Sequence, residues 1–249
     1  MKYAIIAAGE GVRLAQEGVR VPKPLVKVGG ETLIGRLLRI FTSLGATEIC
    51  VICRTPIMVE SIGARVEGQD LQIEDSDGKR VPLRIKVQAT PSSMHSFYAL
   101  SKWLDGKEPF VLTTVDTVFR ETGFAHYVET FKQEVATGAD GVMVVTPFID
   151  DEKPLYIDVD ETLTIRGFYD EQHGCRYVSG GIYGLTPAAL ATLRRCMERG
   201  ESRMRNFQRA LIADGLHLKA FIMDKVLDVD HQSDIQKAKD FVKCDGRID

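Results

Sequence analysis

The chain alternates between short apolar runs and longer segments in which apolar residues recur every three or four positions. The runs 2–7 (KYAIIA), 48–53 (EICVIC) and 141–146 (GVMVVT) have the length and composition of strands that are buried on both faces of a sheet. The segments 31–44 and 124–137 have the periodicity of helices that bury one side. Strands and helices in alternation predict an α/β fold with a doubly wound, mostly parallel mixed sheet.

The pattern changes between residues 147 and 186. Short strand-like runs are separated there by turns rich in Asp, Glu and Gly, which predicts a small antiparallel β insertion beside the sheet. Helical periodicity returns after this segment. We therefore expect a single domain over residues 1–249, in which 147–186 forms a lid or a substrate-binding subdomain.

Composition narrows the choice of partners. The chain has 32 Lys and Arg against 35 Asp and Glu, a net charge of −3, which argues against nucleic acid and against an anionic membrane surface as main partners. The apolar runs are too short to span a bilayer. Five cysteines, an odd number in a chain long enough to bury a sizeable core, predict reduced thiols and a cytoplasmic location.

Two of these cysteines, Cys50 and Cys53, form a C-x-x-C pattern inside the apolar run 48–53. Residues three apart on a strand face opposite sides of the sheet, so this pair is poorly arranged to chelate a metal. We expect both to be buried core thiols.

The first predicted strand is followed by an unusual loop, AAGEGVRLAQEGVRVPKPLVKVGG, at residues 7–30. It leaves the carboxyl end of the strand, where open α/β sheets bind their ligands. Gly9 and Gly11 allow backbone N–H groups to approach an anion, and Arg13 and Lys23 supply positive charge. We expect Lys23 to be an exposed loop lysine whose removal leaves the fold intact.

The loop does not match the two best-known phosphate-binding loops. A dinucleotide fingerprint needs a third glycine at the position of Leu14. A P-loop needs Gly-Lys-Ser/Thr, and Leu14-Ala15-Gln16 provides none of these residues. This makes a dinucleotide-dependent enzyme an unfavoured alternative.

Aspartates follow two later strand-like runs. Asp116 comes after the run 110–115, and Asp228 and Asp230 come after the run 221–223. The ends of these strands could converge at one edge of the sheet, where carboxylates and a divalent cation would neutralise the charge of bound phosphates. An aspartate after a strand is also a common turn residue, so each of these positions gains weight only in combination with the loop.

Two motifs in this order, AIIAAGEGVRL and PKPLVKVGGETLI, resemble the signature of the sugar-nucleotide pyrophosphorylases, nucleotidyltransferases that join an NTP to a sugar 1-phosphate. Further stretches, VQATP, VLTTVD, VSGGIYGLTPAAL and VLDVDHQSDIQKA, follow in the order of that family. The resemblance implies a Rossmann-like nucleotidyltransferase fold and a Mg²⁺-dependent reaction between an NTP and a phosphorylated small-molecule acceptor, with release of pyrophosphate.

The same resemblance assigns roles to residues of this chain. Two are expected to hold the nucleotide phosphates in catalysis, and others are expected to contact the nucleotide, to bind Mg²⁺, or to lie near the acceptor. Arg13 and Lys23 are expected to hold the phosphates, and Ala8, Gly9 and Gly11 to contact the nucleotide, with Gln88 at its base. Asp116 with Asp228 or Asp230 would bind Mg²⁺. Ser179 and Gly181 would lie near the acceptor.

Departures from the family pattern keep two alternatives open. Gln88 lacks the usual Gly-Thr about five residues later, and SSMHSFYAL is closer to the branch of phosphocholine-type cytidylyltransferases. Val115 stands where the family has glycine before the metal aspartate. A phosphocholine-type cytidylyltransferase and a catalytically inactive regulatory module that binds a nucleotide or a sugar nucleotide are therefore both possible. The sequence leaves the base, the acceptor and the oligomeric state open.

Overall fold

The computed structural model describes residues 1–55, 65–67, 70–74 and 77–243. Its strands, in chain order, are β1 (Lys2–Ala7), β2 (Lys27–Val28), β3 (Glu31–Thr32), β4 (Glu48–Cys53), β5 (Arg65–Glu67), β6 (Asp70–Glu74), β7 (Arg80–Val87), β8 (Phe110–Thr114), β9 (Thr117–Val118), β10 (Gly141–Thr146), β11 (Tyr156–Val159), β12 (Ile165–Tyr169), β13 (Tyr177–Leu185), β14 (Leu218–Ile222) and β15 (Leu227–Asp228). Its helices are α1 (Val12–Gln16), α2 (Leu33–Ser43), α3 (Ser93–Leu104), α4 (Glu121–Ala136), α5 (Ala188–Glu198), α6 (Met204–Ala213) and α7 (Gln232–Lys243), with a 3₁₀ turn at Lys23–Leu25.

The centre of the main sheet is parallel. Strands β8, β1, β4 and β7 lie side by side in that order, and β10 pairs in parallel with β14. Every residue of β4 is buried, as expected for a strand covered on both faces. The predicted α/β fold with a mostly parallel mixed sheet is confirmed.

Antiparallel strands complete this sheet. β13 pairs antiparallel with both β8 and β10, and β11 and β12 continue the sheet beyond β13. The segment 147–186 thus contains antiparallel strands, as predicted, with β13 inside the main sheet between β8 and β11, and β11 and β12 toward its edge. Its interpretation as a lid or substrate-binding subdomain stays a prediction.

Helices cover both faces of the sheet. One hydrophobic core lies under α2, α4 and α7, and the other lies under α3, α5 and α6. Cys53 belongs to the first core and Cys50 to the second, which confirms that the C-x-x-C pair faces opposite sides. Within the described residues, no helix is both long and apolar enough to cross a bilayer.

Local sequence explains where α2 begins and ends. The Oγ1 atom of Thr32 accepts a hydrogen bond from the N–H of Gly35 at 3.1 Å and caps the first turn. Gly45 follows the last turn with φ of 74°, a left-handed conformation that glycine adopts without strain. The apolar stripe of the helix is buried against β1 and its neighbours, so the periodicity in the sequence correctly identified the packed face.

Gly184 of β13 is a close-packed point between the sheet and α4. A Cβ atom there would lie 2.7 Å from Phe131 Cδ2 and 2.7 Å from the hydroxyl of Tyr127. Gly184→Ala should therefore destabilise the protein by roughly 1–3 kcal/mol, which a thermal melt would record as a Tm lower by several degrees. The matched control is Gly123→Ala in α4, where the added methyl meets nothing within 4 Å. This control should keep or raise Tm, and equal changes of Tm in the two variants would contradict the close packing at Gly184.

Candidate active site

A cavity of about 580 Å³ lies at the carboxyl ends of β1 and β8. One wall is residues 6–13, the end of β1 and the loop that follows it, and another is residues 114–116, at and just after the end of β8. A third wall consists of Thr90, Pro91, Ser92, Ser93 and Ser96, at the start of α3. The cavity thus occupies the edge at which open α/β sheets bind ligands.

The glycines of the first loop bring the chain close to itself. Gly11 has φ of 62° and precedes α1, and a Cβ atom there would lie 3.2 Å from Cβ of Lys23. A side chain at this position would be strained and would also press on Lys23. Ala8, Gly9 and Gly11 all line the cavity, so the structure brings together the three positions predicted to contact a nucleotide through the backbone.

Lys23 is held between two carboxylates. Its Nζ atom lies 2.5 Å from Asp116 Oδ2 and 2.5 Å from Asp230 Oδ1, and only 10% of its side chain is exposed. The expectation of an exposed loop lysine is therefore wrong. The reason is tertiary: Asp230 is 207 residues away in sequence, and folding brings it against the loop.

These contacts change the ionisation of the groups involved. Burial acts to lower the pKa of Lys23, but the negative charges of Asp116 and Asp230 outweigh it and raise the pKa to about 12. Burial acts to raise the pKa of Asp116, but the charge and hydrogen bond of Lys23 hold that pKa below its ordinary value. The lysine is charged and Asp116 is ionised at neutral pH.

Strand pairing brings Asp228 to the same place. β15 pairs antiparallel with β9, which places Asp228 opposite Thr117. The Oγ1 atom of Thr117 donates a hydrogen bond to Asp228 Oδ1 at 3.1 Å. The N–H of Val229 donates to the carbonyl oxygen of Asp116 at 3.1 Å, so the two carboxylate-bearing segments are joined through the backbone. Alternate residues of an extended chain point to the same side, which lets Asp228 and Asp230 face one site.

Asp228 has a raised pKa. Surrounding protein atoms remove part of its hydration, and Asp116 and Asp230 add negative charge, so its pKa rises to about 7. Its side chain nevertheless remains accessible to solvent in the cleft. Because water screens part of the repulsion, we expect a smaller effect on stability than a fully enclosed carboxyl would have.

Arg13 projects from α1 toward the same aspartates. Its Nη1 atom donates a hydrogen bond to Asp230 Oδ2 at 3.1 Å, and Nη2 lies 3.5 Å from Glu152 Oε2. Asp230 thus contacts both of the cations that the sequence singled out. Half of the Arg13 side chain is exposed, so the guanidinium can reorient toward a ligand at small cost.

The carboxylates offer only oxygen donors, which suit Mg²⁺. Within the part of the chain that the structure describes, no group of three or more His, Cys, Asp or Glu is arranged to hold a metal ion by itself. Magnesium is commonly bound by one or two carboxylates together with phosphate oxygens and water. Asp116 with Asp228 or Asp230 fits such a shared site.

A second cavity, of about 210 Å³, adjoins the first. Arg13 and Asp230 line both cavities, and Ser179 lines the second. Ser179 is held by Gln208, which is buried and donates from Nε2 to Ser179 Oγ at 3.3 Å. Gly181 is not among the described residues that line either cavity, although a Cβ atom there would lie 3.0 Å from Thr117 Oγ1, and its place near the acceptor stays a prediction.

Sequence reasoning missed several lining residues. The acidic side chains of the second cavity include three from the connection after β10, namely Asp150, Asp151 and Glu152. The stretch FIDDEKP at 148–154 is the signal that could have identified them. Gln88 is exposed at the end of β7, and it is not among the described residues that line the first cavity. Its contact with the base stays a prediction.

The chain matches the model of a known protein family. The family model of the MobA-like NTP transferase domain matches residues 3–211. The chain belongs to this NTP transferase family. The nucleotidyltransferase relationship inferred from the two motifs is therefore confirmed.

Curated relatives of this NTP transferase domain carry names of sugar-phosphate nucleotidyltransferases. It is 28% identical over 199 residues to a mannose-1-phosphate guanyltransferase of Schizosaccharomyces pombe, a match that covers 76% of the chain and 51% of the relative. It is 32% identical over 53 residues to a glucose-1-phosphate cytidylyltransferase of Salmonella typhimurium, 21% of each chain. These matches therefore span at most about half the length of the curated relatives.

Solved structures show the same fold at low identity. A Bacillus anthracis protein assigned as a glucose-1-phosphate thymidylyltransferase superposes with a TM-score of 0.79 at 19% identity, covering 100% of this NTP transferase domain and 96% of that chain. The inositol-1-phosphate CTP transferase of T. maritima superposes with a TM-score of 0.72 at 16% identity, covering 97% of both chains. At these identities the likeness establishes the fold alone.

The raised pKa of Asp228 predicts a pH-dependent stability. Between about pH 4 and pH 7 this carboxyl is protonated in the folded state and ionised in the unfolded state, so its contribution to stability is present at low pH and lost as pH rises through 7. Asp228→Asn mimics the protonated form. It should raise Tm more at pH 8 than at pH 5, and the gain should vanish only near pH 4. The exposed neighbour Asp224 provides the control: Asp224→Asn should alter Tm equally at both values. If Asp228→Asn changed Tm by the same amount at both pH values, the pKa of Asp228 would not be raised in the folded state.

Proposed function

We propose that this chain catalyses the Mg²⁺-dependent transfer of a nucleotidyl group from an NTP to a phosphorylated small-molecule acceptor, such as a sugar 1-phosphate, with release of pyrophosphate. The observation that carries the proposal is the meeting of Lys23, Arg13 and the three aspartates at the boundary between two cavities. The curated relatives named as guanyl- and cytidylyltransferases of sugar phosphates support it. The reaction would belong to nucleotide-sugar biosynthesis.

The chemistry requires charge neutralisation more than a proton-accepting residue. An anionic oxygen of the acceptor phosphate attacks the α-phosphorus of the NTP and forms the new P–O bond. The bond from the α-phosphorus to the leaving pyrophosphate breaks, and its electron pair stays with pyrophosphate. Since the attacking oxygen is already an anion, no general base is needed. Bound Mg²⁺ would neutralise charge on the reacting phosphates.

We assign the first cavity to the NTP. The backbone at Ala8, Gly9 and Gly11 would lie against the nucleotide, and Arg13 and Lys23 would bind the triphosphate. Without a ligand, both cations neutralise aspartates. On binding, these cations would turn from the aspartates to the phosphates, and Asp116 with one of Asp228 and Asp230 would then hold the metal. One such preorganised contact is commonly worth about 3 kcal/mol in a transition state.

We assign the second cavity to the acceptor. It lies beside the NTP cavity and contains Ser179. Its lining favours a second candidate acceptor class, because the carboxylates there outnumber the cations Arg13 and Lys237. A phosphorylated acceptor that carries a positive charge, such as phosphocholine, would complement these carboxylates, with CTP as donor. The carboxylates in question are Asp150, Asp151, Glu152, Asp228, Asp230 and Asp234.

A pyrophosphate-release assay tests the proposal. CTP, GTP, UTP and dTTP are each combined with glucose 1-phosphate, mannose 1-phosphate and phosphocholine, once with Mg²⁺ and once with EDTA. We expect turnover with at least one pair, and its loss in EDTA. A melting scan of the same NTPs accompanies the assay, since a ligand at 100 times its Kd adds about 2.7 kcal/mol of apparent stability.

The combined outcomes separate the alternatives. Turnover with phosphocholine and not with the sugar phosphates would select the cationic acceptor. A rise in Tm with an NTP but no pyrophosphate from any pair would select the inactive nucleotide-binding module. Neither turnover nor a rise in Tm would contradict the proposed function.

Lys23→Ala should lower kcat/KM for the NTP roughly a hundredfold or more, because it removes a charge that binds the triphosphate. It should also lower Tm by a few degrees, since Asp116 and Asp230 lose their shared partner. Steady-state kinetics well below Tm separate the two effects. Lys27→Ala, at an exposed lysine of β2, is the matched control and should stay within about twofold of wild type. Near-normal activity of Lys23→Ala would remove Lys23 from the site.

A further inference from the structure

Glu17, at the end of α1, binds the segment that leads into α7. Its Oε1 atom accepts a hydrogen bond from His231 Nδ1 at 2.6 Å, and its Oε2 atom accepts one from the N–H of Gln232 at 2.6 Å. Gln232 is the first residue of α7, so the carboxylate also satisfies a free N–H of the first helical turn. One side chain thus joins the first loop of the chain to a segment 214 residues later.

The same short helix reaches this segment a second time. Arg13 precedes Glu17 by one helical turn, which places both on one side of α1, and Arg13 contacts Asp230. Asp230 immediately precedes His231, and it is also the carboxylate that contacts Lys23. Two side chains of α1 therefore hold adjacent residues of one strand-to-helix connection.

The connection is stiff within itself. Oδ2 of Asp234 accepts hydrogen bonds from the N–H of Asp230 at 3.2 Å and of His231 at 2.8 Å. The segment is therefore braced internally, and Glu17 and Arg13 attach it to α1, in addition to the contact of Lys23 with Asp230. The contact of Arg13 is an exposed ion pair, of a kind that contributes little by itself. Glu17, with two short hydrogen bonds, is the stronger of the two attachments.

We propose that Glu17 is a positioning residue, which fixes Asp230 relative to Arg13 and Lys23 and thereby sets the geometry of the site for metal and triphosphate. The proposal rests on the proposed function for its catalytic consequence, but the positioning itself is a property of the free protein. A misplacement of about 1 Å in a catalytic constellation is able to lower a rate about a hundredfold. Loss of Glu17 should therefore affect the metal-dependent step without unfolding the protein.

A double-mutant cycle tests the positioning without any substrate. Melting temperatures are measured for wild type, Glu17→Ala, Asp230→Asn and the double variant. If Glu17 fixes Asp230, the change of Tm in the double variant should differ from the sum of the changes in the two single variants by at least about 2 °C. Gln16→Ala with Asp230→Asn is the control cycle, on the exposed neighbour of Glu17, and should be additive. An additive Glu17 cycle overturns the proposal. If Glu17→Ala fails to fold, Glu17→Gln, which keeps one acceptor oxygen, replaces it in the cycle.

Kinetics test the consequence for the site. Glu17→Ala should lower kcat roughly tenfold or more and raise the Mg²⁺ concentration that gives half-maximal rate, whereas Gln16→Ala should change neither. Glu17→Gln should recover part of both losses, because its amide oxygen is still able to accept from Gln232. A Glu17→Ala enzyme with wild-type Mg²⁺ dependence overturns the proposal and makes Glu17 a helix cap only. A wild type without turnover contradicts the proposed function instead, and the melting cycle still decides the role of Glu17.

Discussion

The need to compensate negative charge at the carboxyl edge of the sheet governs the architecture of this site. Asp116, Asp228 and Asp230 come from two strand ends that converge there. Three carboxylates in one cleft repel one another, so positive charge among them stabilises the fold. The ammonium group of Lys23, between Asp116 and Asp230, supplies this positive charge. These two contacts attach the first loop to the segments that carry the aspartates.

Other features of the loop support the same contact. Gly11 adopts a left-handed conformation, and its missing side chain leaves room for Lys23. Glu17 and Arg13 then attach the far side of the loop to the segment that carries Asp230. The loop is thus held in place by charges and hydrogen bonds together with apolar residues, since Leu14, Val26 and Val28 belong to the first hydrophobic core.

The sequence predicted what depends on local patterns. Strand runs such as 48–53, the helix at 31–44 and the strand-end position of Asp116 all follow from apolar periodicity, which is set within a few residues. Contacts made across the whole chain left no such pattern. The burial of Lys23 depends on Asp230, 207 residues away, and the role of Glu17 depends on His231. The family resemblance supplied residue identities for the site, but a motif does not state which charges pair in the free protein.

The shared wall of the two cavities has a thermodynamic consequence. Arg13 and Asp230 line both, and Arg13 also contacts Glu152 in the second cavity. A molecule in one cavity that draws Arg13 away from its carboxylates changes the electrostatic potential in the other. Affinities of two sites joined in this way are linked, and the factor by which the first occupant alters binding of the second equals the factor for the reverse. Under the proposed function, the cleft would therefore act as one bipartite receptor, in which the order of binding leaves the total free energy of binding unchanged.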